Sequence, residues 1–432
     1  MRRTRKNRLT GSSAVTSRST EPAADADGAR ALLSAAAIRE RAGRLLGAAL
    51  ADDLPDWRLE LGRLAATADF VTEVVRDRYP GLDVPVHARW RHFVFDGRDL
   101  WQELVARTTW TDQRAAARAA FDLAITSVLL DAGAGAGWRF RDPATGAMAA
   151  RSEGLALASL RWFENGGLSD RSGDPNRVDA GALARIDAAT IAGAFQVDAG
   201  NPLVGLEGRA ALLNRLGARL RARPDLFASA DTPRPGGLFD ALSARAPAGR
   251  LPAAIILETL LEALGPIWEG RPTQDGVPLG DCWPYPYLAG ASPHAAFVPL
   301  HKLSQWLSYS LIEPLERAGI CVTQVDALTG LAEYRNGGLF VDMGVLRPRD
   351  PTALARTHGV ADPFVVGWRG LTVALLDRLA PLVRARLGLT AEAFPLARVL
   401  EGGTWMAGRL VARRLRADGG PPLLISSDGT VF

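Results

Sequence analysis

The chain has 432 residues, 47% hydrophobic and 23% charged, which is enough to bury a large core or to form two or three domains. No run of about 18 uncharged apolar residues occurs, which argues against a membrane-spanning helix. The net charge is +4, and Lys6 and Lys302 are the only lysines among the basic residues. Because almost all of the basic residues are arginines, we interpret the positive charge as compositional bias. It does not predict a nucleic-acid partner.

Most of the positive charge lies at the start of the chain. Residues 1–28 are polar, Ser/Thr-rich and net +3, whereas the remainder carries only +1. We therefore predict a disordered basic tail at 1–28 and one folded domain at 29–432. No apolar segment follows the first basic residues, so a secretory signal is not expected. Two widely separated cysteines favour a reducing, cytoplasmic location.

Apolar residues recur at helical spacing along most of the chain. The predicted helices cover 29–51, 58–78, 111–131, 179–195, 207–222, 250–264, 301–317, 352–358, 366–386 and 390–416. Strand signals are few: a β-branched and aromatic segment at 84–95, a hairpin at 331–346 that turns at Asn336-Gly337-Gly338, and a terminal strand pair at 423–432. The pattern predicts a mainly α single domain with a small β-hairpin element.

The polar residues most suited to chemistry lie between 280 and 342. On the predicted helix 301–317, Lys302, Gln305 and Tyr309 recur at helical spacing among apolar residues. They form either one wall of a binding site or the polar side of an ordinary amphipathic helix. Both interpretations are open at this point.

Asp342 is the sharpest single candidate, because it lies in the apolar segment 339–346 beside a glycine. A carboxylate buried there is costly unless it is paired. It would serve as a general base or as an ion that stabilises developing positive charge; the alternatives are a strand carboxylate that faces water and a turn-side ion pair. Glu333 and Arg335 fall on one side of the preceding segment, where they form a ligand clamp or a surface salt bridge.

Asp281 and Trp283 lie in a Pro-rich loop and would form a wall for a sugar or a base, or an ordinary structured loop. His87 and His92 are five residues apart, a spacing that puts them on one face of neither a helix nor a strand, so metal binding by this pair is disfavoured. The glycine-rich stretch 131–137 follows a helix and lacks phosphate-loop spacing. No cofactor and no metal is predicted.

Several longer strings resemble the uracil-catabolism family found in fungi and bacteria. They are VPVHARWRHF (84–93), SVLLDAGAGAGWRF (127–140), RSEGLALAS (151–159), FQVDAGNPLVGLEGR (195–209), LGPIWEGR (264–271), PLHKLSQWLSYSLIEPL (299–315), LTGLAEYRNGGLFVDMGVL (328–346) and SSDGTVF (426–432). The resemblance runs from about residue 30 to the end of the chain. It implies a part in uracil degradation, at the step that hydrolyses the N-ribosidic bond of ribosylurea to give urea and ribose.

A second resemblance is to queuosine-salvage N-glycosylases, whose helical fold is akin to that of DNA glycosylases. Lys302-Leu303-Ser304-Gln305 and Phe340-Val341-Asp342 stand in the order of their motifs, but Met343-Gly344 replaces the Tyr-Arg that follows the aspartate. The resemblance supports Asp342 as the catalytic residue, with Lys302 and Gln305 in the motif before it. Together with the residue patterns above, it leads us to expect that Lys302, Gln305, Tyr309, Glu333, Arg335, Asp281 and Trp283 bind a small riboside. A nucleic-acid or modified-nucleoside glycosylase and a non-catalytic helical interaction module are the alternatives.

Overall fold

The computed structural model describes residues 21–135, 137–228, 232–288, 290 and 292–426. Within these ranges helices dominate, and the prediction of a mainly α protein is confirmed. No helix in the described ranges combines the length and the apolar character needed to cross a bilayer.

The α-helices differ widely in length, from single turns to the 25-residue α15. They are α1 Glu21–Ala31, α2 Ala35–Leu50, α3 Leu64–Arg78, α4 Leu100–Arg107, α5 Gln113–Leu129, α6 Arg151–Glu164, α7 Ala180–Leu183, α8 Ala188–Ala194, α9 Leu206–Ala222, α10 Pro224–Phe227, α11 Gly237–Ala244, α12 Ala253–Leu264, α13 Lys302–Arg317, α14 Tyr334–Asp342, α15 Pro363–Leu387, α16 Leu396–Val399 and α17 Trp405–Leu415. A π-helical turn, Leu400–Thr404, joins α16 to α17.

The strands are two or three residues long and pair two by two. They are β1 Trp57–Leu59, β2 Val94–Phe95, β3 Arg98–Asp99, β4 Arg139–Arg141, β5 Met148–Ala150, β6 Arg250–Pro252, β7 Thr273–Gln274, β8 Val277–Pro278, β9 Cys282–Pro284, β10 Phe297–Pro299, β11 Cys321–Thr323, β12 Leu346–Pro348, β13 Thr357–Gly359 and β14 Leu424–Ser426. The antiparallel pairs are β1–β12, β2–β3, β4–β5, β7–β8 and β9–β10; β6–β11 and β13–β14 are parallel.

The centre of the core is α15, which is buried along most of its length and packs against α2 and α3. The sequence fixes both of its ends. The Asp362 carboxylate accepts a hydrogen bond from the Phe364 amide at 2.9 Å, and Pro363 occupies the first turn. Gly388 ends the helix in the left-handed conformation, at φ 71°.

Two further contacts bring the polar residues together. Helix α13 packs against α5 and α12, and α14 packs against α17. The second contact is unusually close, because a Cβ atom added to Gly408 of α17 would lie 2.2 Å from the Arg335 carbonyl oxygen. Only a glycine allows α17 to approach the start of α14 in this way.

The predicted hairpin at 331–346 is wrong, because its centre is helix α14. The Glu333 carboxylate caps the helix by accepting hydrogen bonds from the Arg335 amide at 2.7 Å and the Asn336 amide at 2.6 Å. Gly337 makes no turn. Its missing Cβ leaves room for Trp368, whose ring such an atom would meet at 2.5 Å. The close packing of α14 against α15 therefore explains a glycine that looked like a turn signal.

Other predicted elements are also altered. The segment 84–95 forms a 3-10 helix, Arg89–Phe93, followed by the short strand β2, and 352–358 holds a 3-10 helix and the start of β13 where an α-helix was expected. Helix α1 begins at Glu21, so ordered structure starts before the predicted boundary at residue 29. The rest of the predicted tail, 1–20, and residues 427–432 of the predicted terminal strand pair lie outside the described residues.

Candidate functional site

A cavity of about 460 Å³ lies where α6, α13, α14 and α17 meet the glycine-rich segment that follows α5. This volume suits a small organic ligand. Titratable side chains of both signs and several aromatic rings line it. They include His87, His92, Asp131, Arg151, Lys302, Trp306, Glu333, Tyr334, Arg335 and Trp405.

Asp131 brings a carboxylate to the cavity wall from the end of α5. Its oxygens accept hydrogen bonds from the Ser152 hydroxyl at 2.6 and 2.5 Å. One oxygen also lies 3.1 Å from the Arg89 guanidinium, and the Asp131 side chain is only 8% exposed. The carboxylate is therefore held in one orientation and is compensated by a positive charge.

Arg89 is fully buried behind the cavity. Its Nε donates to the Ser127 hydroxyl at 2.7 Å, and its terminal nitrogen lies 3.2 Å from His92 Nδ1. Burial, followed by the charge of Arg89, lowers the pKa of His92 to about 4. His92 is consequently a neutral ring at physiological pH, and it stands edge-on to Trp306 with ring centroids 5.7 Å apart.

Lys302 enters the cavity from the first turn of α13. Its ammonium group lies 5.4 Å from the centre of the Trp306 ring, a cation–π contact. Burial lowers the pKa of Lys302, while the nearby carboxylates Glu333 and Asp131 oppose that shift. None of the ion pairs found among the described residues includes this ammonium group, so it has donors to offer a ligand.

Arg335 stands at the start of α14, beside the segment that closes the cavity near the end of the described chain. Its guanidinium lies 4.8 Å from the centre of the Tyr334 ring and donates to the Gly419 carbonyl at 3.0 Å. Its Nε is buried and has no hydrogen-bond partner in the described part of the chain. A buried, unused donor of this kind fits a site that is completed by a polar ligand.

His87 also lines the cavity, and its Nδ1 lies 2.7 Å from a carboxylate oxygen of Glu401. Both side chains are nearly buried, at 7% and 9% exposed. The Trp306 and Trp405 rings flank the imidazole, each with its centroid 6.3 Å away. A histidine paired with a carboxylate is an arrangement suited to proton transfer.

Of the residues predicted from sequence, the structure brings Lys302, Glu333 and Arg335 to the cavity wall. Gln305 and Tyr309 are buried in the core instead: the Gln305 amide donates to the Thr329 hydroxyl, and the Tyr309 hydroxyl donates to the Thr329 carbonyl, both at 2.9 Å. They fix the segment that leads to α14 and do not line the cavity.

Asp281 and Trp283 also lie elsewhere. The Asp281 carboxylate forms a two-pronged ion pair with Arg369 at 2.7 and 2.8 Å, and it accepts from the Trp283 indole and the Lys302 amide. Burial opposes ionisation, but these partners, Arg369 foremost, hold the pKa of Asp281 well below its usual range. Asp281 therefore anchors the start of α13, and a small separate pocket of about 30 Å³ touches it.

Asp342 does not line the cavity. It ends α14, about 10 Å along the helix axis from Arg335. Its two oxygens accept hydrogen bonds from Arg416 at 2.8 and 2.5 Å. The structure therefore shows Asp342 in an ion pair with Arg416. The catalytic role of Asp342 stays a prediction.

Sequence reasoning missed the site roles of His87, Asp131, Ser152 and Trp405. The first three lie in the conspicuous strings 84–93, 127–140 and 151–159, but nothing in their spacing shows that they converge. Among the described residues, no three His, Cys, Asp or Glu side chains are grouped as metal ligands.

The fold and the cavity together define a mainly helical protein with a polar, aromatic-walled site of small-molecule size. The chain belongs to the family described as protein of unknown function DUF1688, whose model matches residues 31–432.

Two relatives cover most of the chain. Protein urg3 of Schizosaccharomyces pombe is 39% identical over 413 residues, which span 93% of this chain and 98% of that protein. Uracil catabolism protein 4 of Lachancea kluyveri is 37% identical over 409 residues, which span 87% of this chain and 92% of that protein. The family resemblance seen in the sequence is confirmed.

Proposed function

We propose that this protein acts in uracil catabolism as a hydrolase of an N-ribosidic bond, and that it converts ribosylurea into urea and ribose. The name of the Lachancea kluyveri relative supports the pathway. The observation that carries the reaction class is the Asp131 carboxylate, fixed by Ser152 and Arg89 at the wall of a cavity of about 460 Å³.

Cleavage of an N-riboside develops positive charge on the sugar, as in other glycoside hydrolyses. A carboxylate that the protein already holds in position stabilises that charge more strongly than one in solution, because it does not have to reorient during the reaction. Asp131 meets this requirement, since the Ser152 hydroxyl, shared between its two oxygens, and the Arg89 guanidinium hold it in place. Arg89 places a positive charge 3.1 Å from this carboxylate.

The remaining walls suit the two halves of such a substrate. Lys302 and Arg335 offer N–H donors to hydroxyl or carbonyl oxygens. Trp306 and Trp405 give flat apolar surfaces against which a sugar ring packs. The site thus combines a cation-stabilising group with groups that bind a small polyhydroxyl ligand.

The test is urea release from ribosylurea by the purified protein and by two carboxylate variants. We expect the wild type to release urea and Asp131→Asn to lose about 10²–10³-fold in kcat, because the amide no longer stabilises the cation. Asp342→Asn, assayed at a temperature where circular dichroism shows it folded, is expected to retain activity.

The opposite pattern, with Asp342→Asn inactive and Asp131→Asn active, would return the catalytic role to Asp342. No urea release by the wild type from ribosylurea or its 5′-phosphate would refute the proposed reaction.

A further inference from the structure

N-riboside hydrolysis also needs a group that takes a proton from the attacking water and returns one to the leaving nitrogen. Asp131, held by Ser152 and Arg89, is placed to stabilise charge, and the function proposed above leaves the proton carrier unassigned. The inference made here rests on that proposed function. It concerns the pair formed by His87 and Glu401.

The direction of the hydrogen bond between His87 and Glu401 determines the tautomer of the His87 imidazole. An ionised carboxylate only accepts hydrogen bonds, so Nδ1 of His87 carries the proton that Glu401 Oε2 accepts over 2.7 Å. In a neutral ring, Nε2 then holds a free lone pair. No hydrogen bond to Nε2 occurs among the described residues, and His87 is part of the cavity wall.

Glu401 is held in its ionised form by its surroundings. Burial by itself would raise the pKa of this carboxyl, but the hydrogen bond with His87 and the charge of Arg78 hold it below the ordinary value. The Arg78 guanidinium lies 3.7 Å from one oxygen, and the Tyr79 hydroxyl lies 3.3 Å from it. Both come from the end of α3.

The backbone around Glu401 is fixed as well. Glu401 lies in the π-helical turn Leu400–Thr404, a distortion that often marks functional sites. The next two residues are Gly402 and Gly403, and a Cβ atom on Gly403 would lie 2.5 Å from Val71 of α3. The turn is therefore pressed against α3 and cannot shift without moving that helix.

We propose that His87 is the general base of this site and that Glu401 is the residue that positions it. His87 Nε2 takes a proton from the water whose oxygen attacks the anomeric carbon as the carbon–nitrogen bond breaks. The imidazolium formed returns that proton to the leaving nitrogen. One water is consumed, and ribose and urea are released.

Several charged and titratable groups face this pair. His92 approaches from the 3-10 helix Arg89–Phe93, and Arg78 and Tyr79 approach from the end of α3. Trp306 and Trp405 lie beside the imidazole, with their rings tilted by 30° and 41° against it. The negative charge of Glu401 favours the imidazolium that forms during the reaction, as the carboxylate of a catalytic triad does.

The experiment compares His87→Gln and Glu401→Gln with the control His358→Gln, using steady-state urea release from pH 5 to pH 9. His358 is also paired with a carboxylate but lies in another part of the fold. We expect His87→Gln to lower kcat by about 10²–10⁴-fold and the control to change it less than about twofold.

Glu401→Gln supplies a readout that a purely structural role would not move. The amide still accepts a hydrogen bond from Nδ1 but carries no charge, so the acid limb of the kcat/KM profile should move to lower pH. The midpoint of thermal unfolding, recorded for each variant, identifies any loss caused by misfolding.

Full activity of a folded His87→Gln, or an unchanged acid limb in Glu401→Gln, would overturn the assignment. If the wild type and Asp131→Asn behave as proposed while His87→Gln stays active, only the general base is wrong. If the wild type releases no urea, the proposed function is refuted, and the assignment of His87 as general base is refuted with it.

Discussion

Two histidine–carboxylate pairs in this protein have similar geometry and different surroundings. His87 Nδ1 lies 2.7 Å from Glu401, and His358 Nδ1 lies 2.9 Å from Asp362. The second nitrogen of His358 also faces an acceptor, the Ala353 carbonyl at 2.8 Å, whereas that of His87 has no partner among the described residues. Both histidines line a cavity, but His358 has both ring nitrogens engaged, whereas His87 keeps Nε2 available to a ligand.

The groups around each pair differ in the same sense. Beside His87 lie Asp131 and the fully buried Arg89. Beside His358, Asp362 caps α15, and the Arg356–Asp350 pair is 61% and 52% exposed. Buried charge is costly, so the charged groups around His87 are more expensive to keep than the exposed pair beside His358.

The largest expected effect comes from removing the buried cation. We expect Arg89→Met to lower the free energy of unfolding by about 3–5 kcal/mol, because Asp131 is left buried without its partner. Arg356→Met, which removes an exposed ion pair of the other region, should cost less than about 1 kcal/mol. Unfolding in urea at pH 7 measures the free energy of unfolding of both variants. Equal losses would contradict the proposed difference between the two regions.

The next effect is a dependence of stability on pH. The pKa of His92 is about 4 in the folded protein and about 6.5 in an unfolded chain. Because the folded value is depressed, the contribution is complete above about pH 6.5 and is lost as pH falls through 4, by up to about 3 kcal/mol. The free energy of unfolding, followed from pH 7 to pH 4, should fall less steeply in His92→Gln; an equal slope would contradict a neutral His92.

A smaller effect is expected at the helix contact that shapes the cavity. Gly408→Ala places a Cβ atom 2.2 Å from the Arg335 carbonyl oxygen, so we expect a loss of about 1–3 kcal/mol and weaker ligand binding, as α17 moves away from α14. Gly359→Ala, beside His358, meets nothing within 4 Å and should change stability by less than about 0.5 kcal/mol. Thermal unfolding and substrate KM report the two outcomes.

The smallest effect concerns the His358–Asp362 pair itself. His358→Gln removes hydrogen bonds to Asp362 and to the Ala353 carbonyl, so we expect a stability loss of about 1–2 kcal/mol with unchanged kcat. Denaturant unfolding measures the stability loss, and the urea-release assay measures kcat. A large fall in kcat with intact folding would show that the second region also takes part in function.

Local sequence signals located much of the fold and part of the site. Helix α15 was foreseen from its apolar periodicity, and Lys302 was singled out as the one lysine outside the basic tail. The predicted hairpin around Gly337 is wrong, because a glycine that makes room for Trp368 cannot be told by sequence from a glycine that makes a turn. Tyr309 lies in the core and not in the cavity wall, because a polar group at helical spacing serves a buried hydrogen bond as readily as a ligand.

What the sequence by itself determined is the mainly helical class, the family, and the placement of Lys302, Glu333 and Arg335 near one another in the chain. Those features depend on local periodicity and on long matching strings. Only the tertiary structure decided that Asp342 pairs with Arg416 and that Asp131 faces the cavity. The physical reason is that a carboxylate's role depends on which cation reaches it, and residues 74 positions apart meet only through packing.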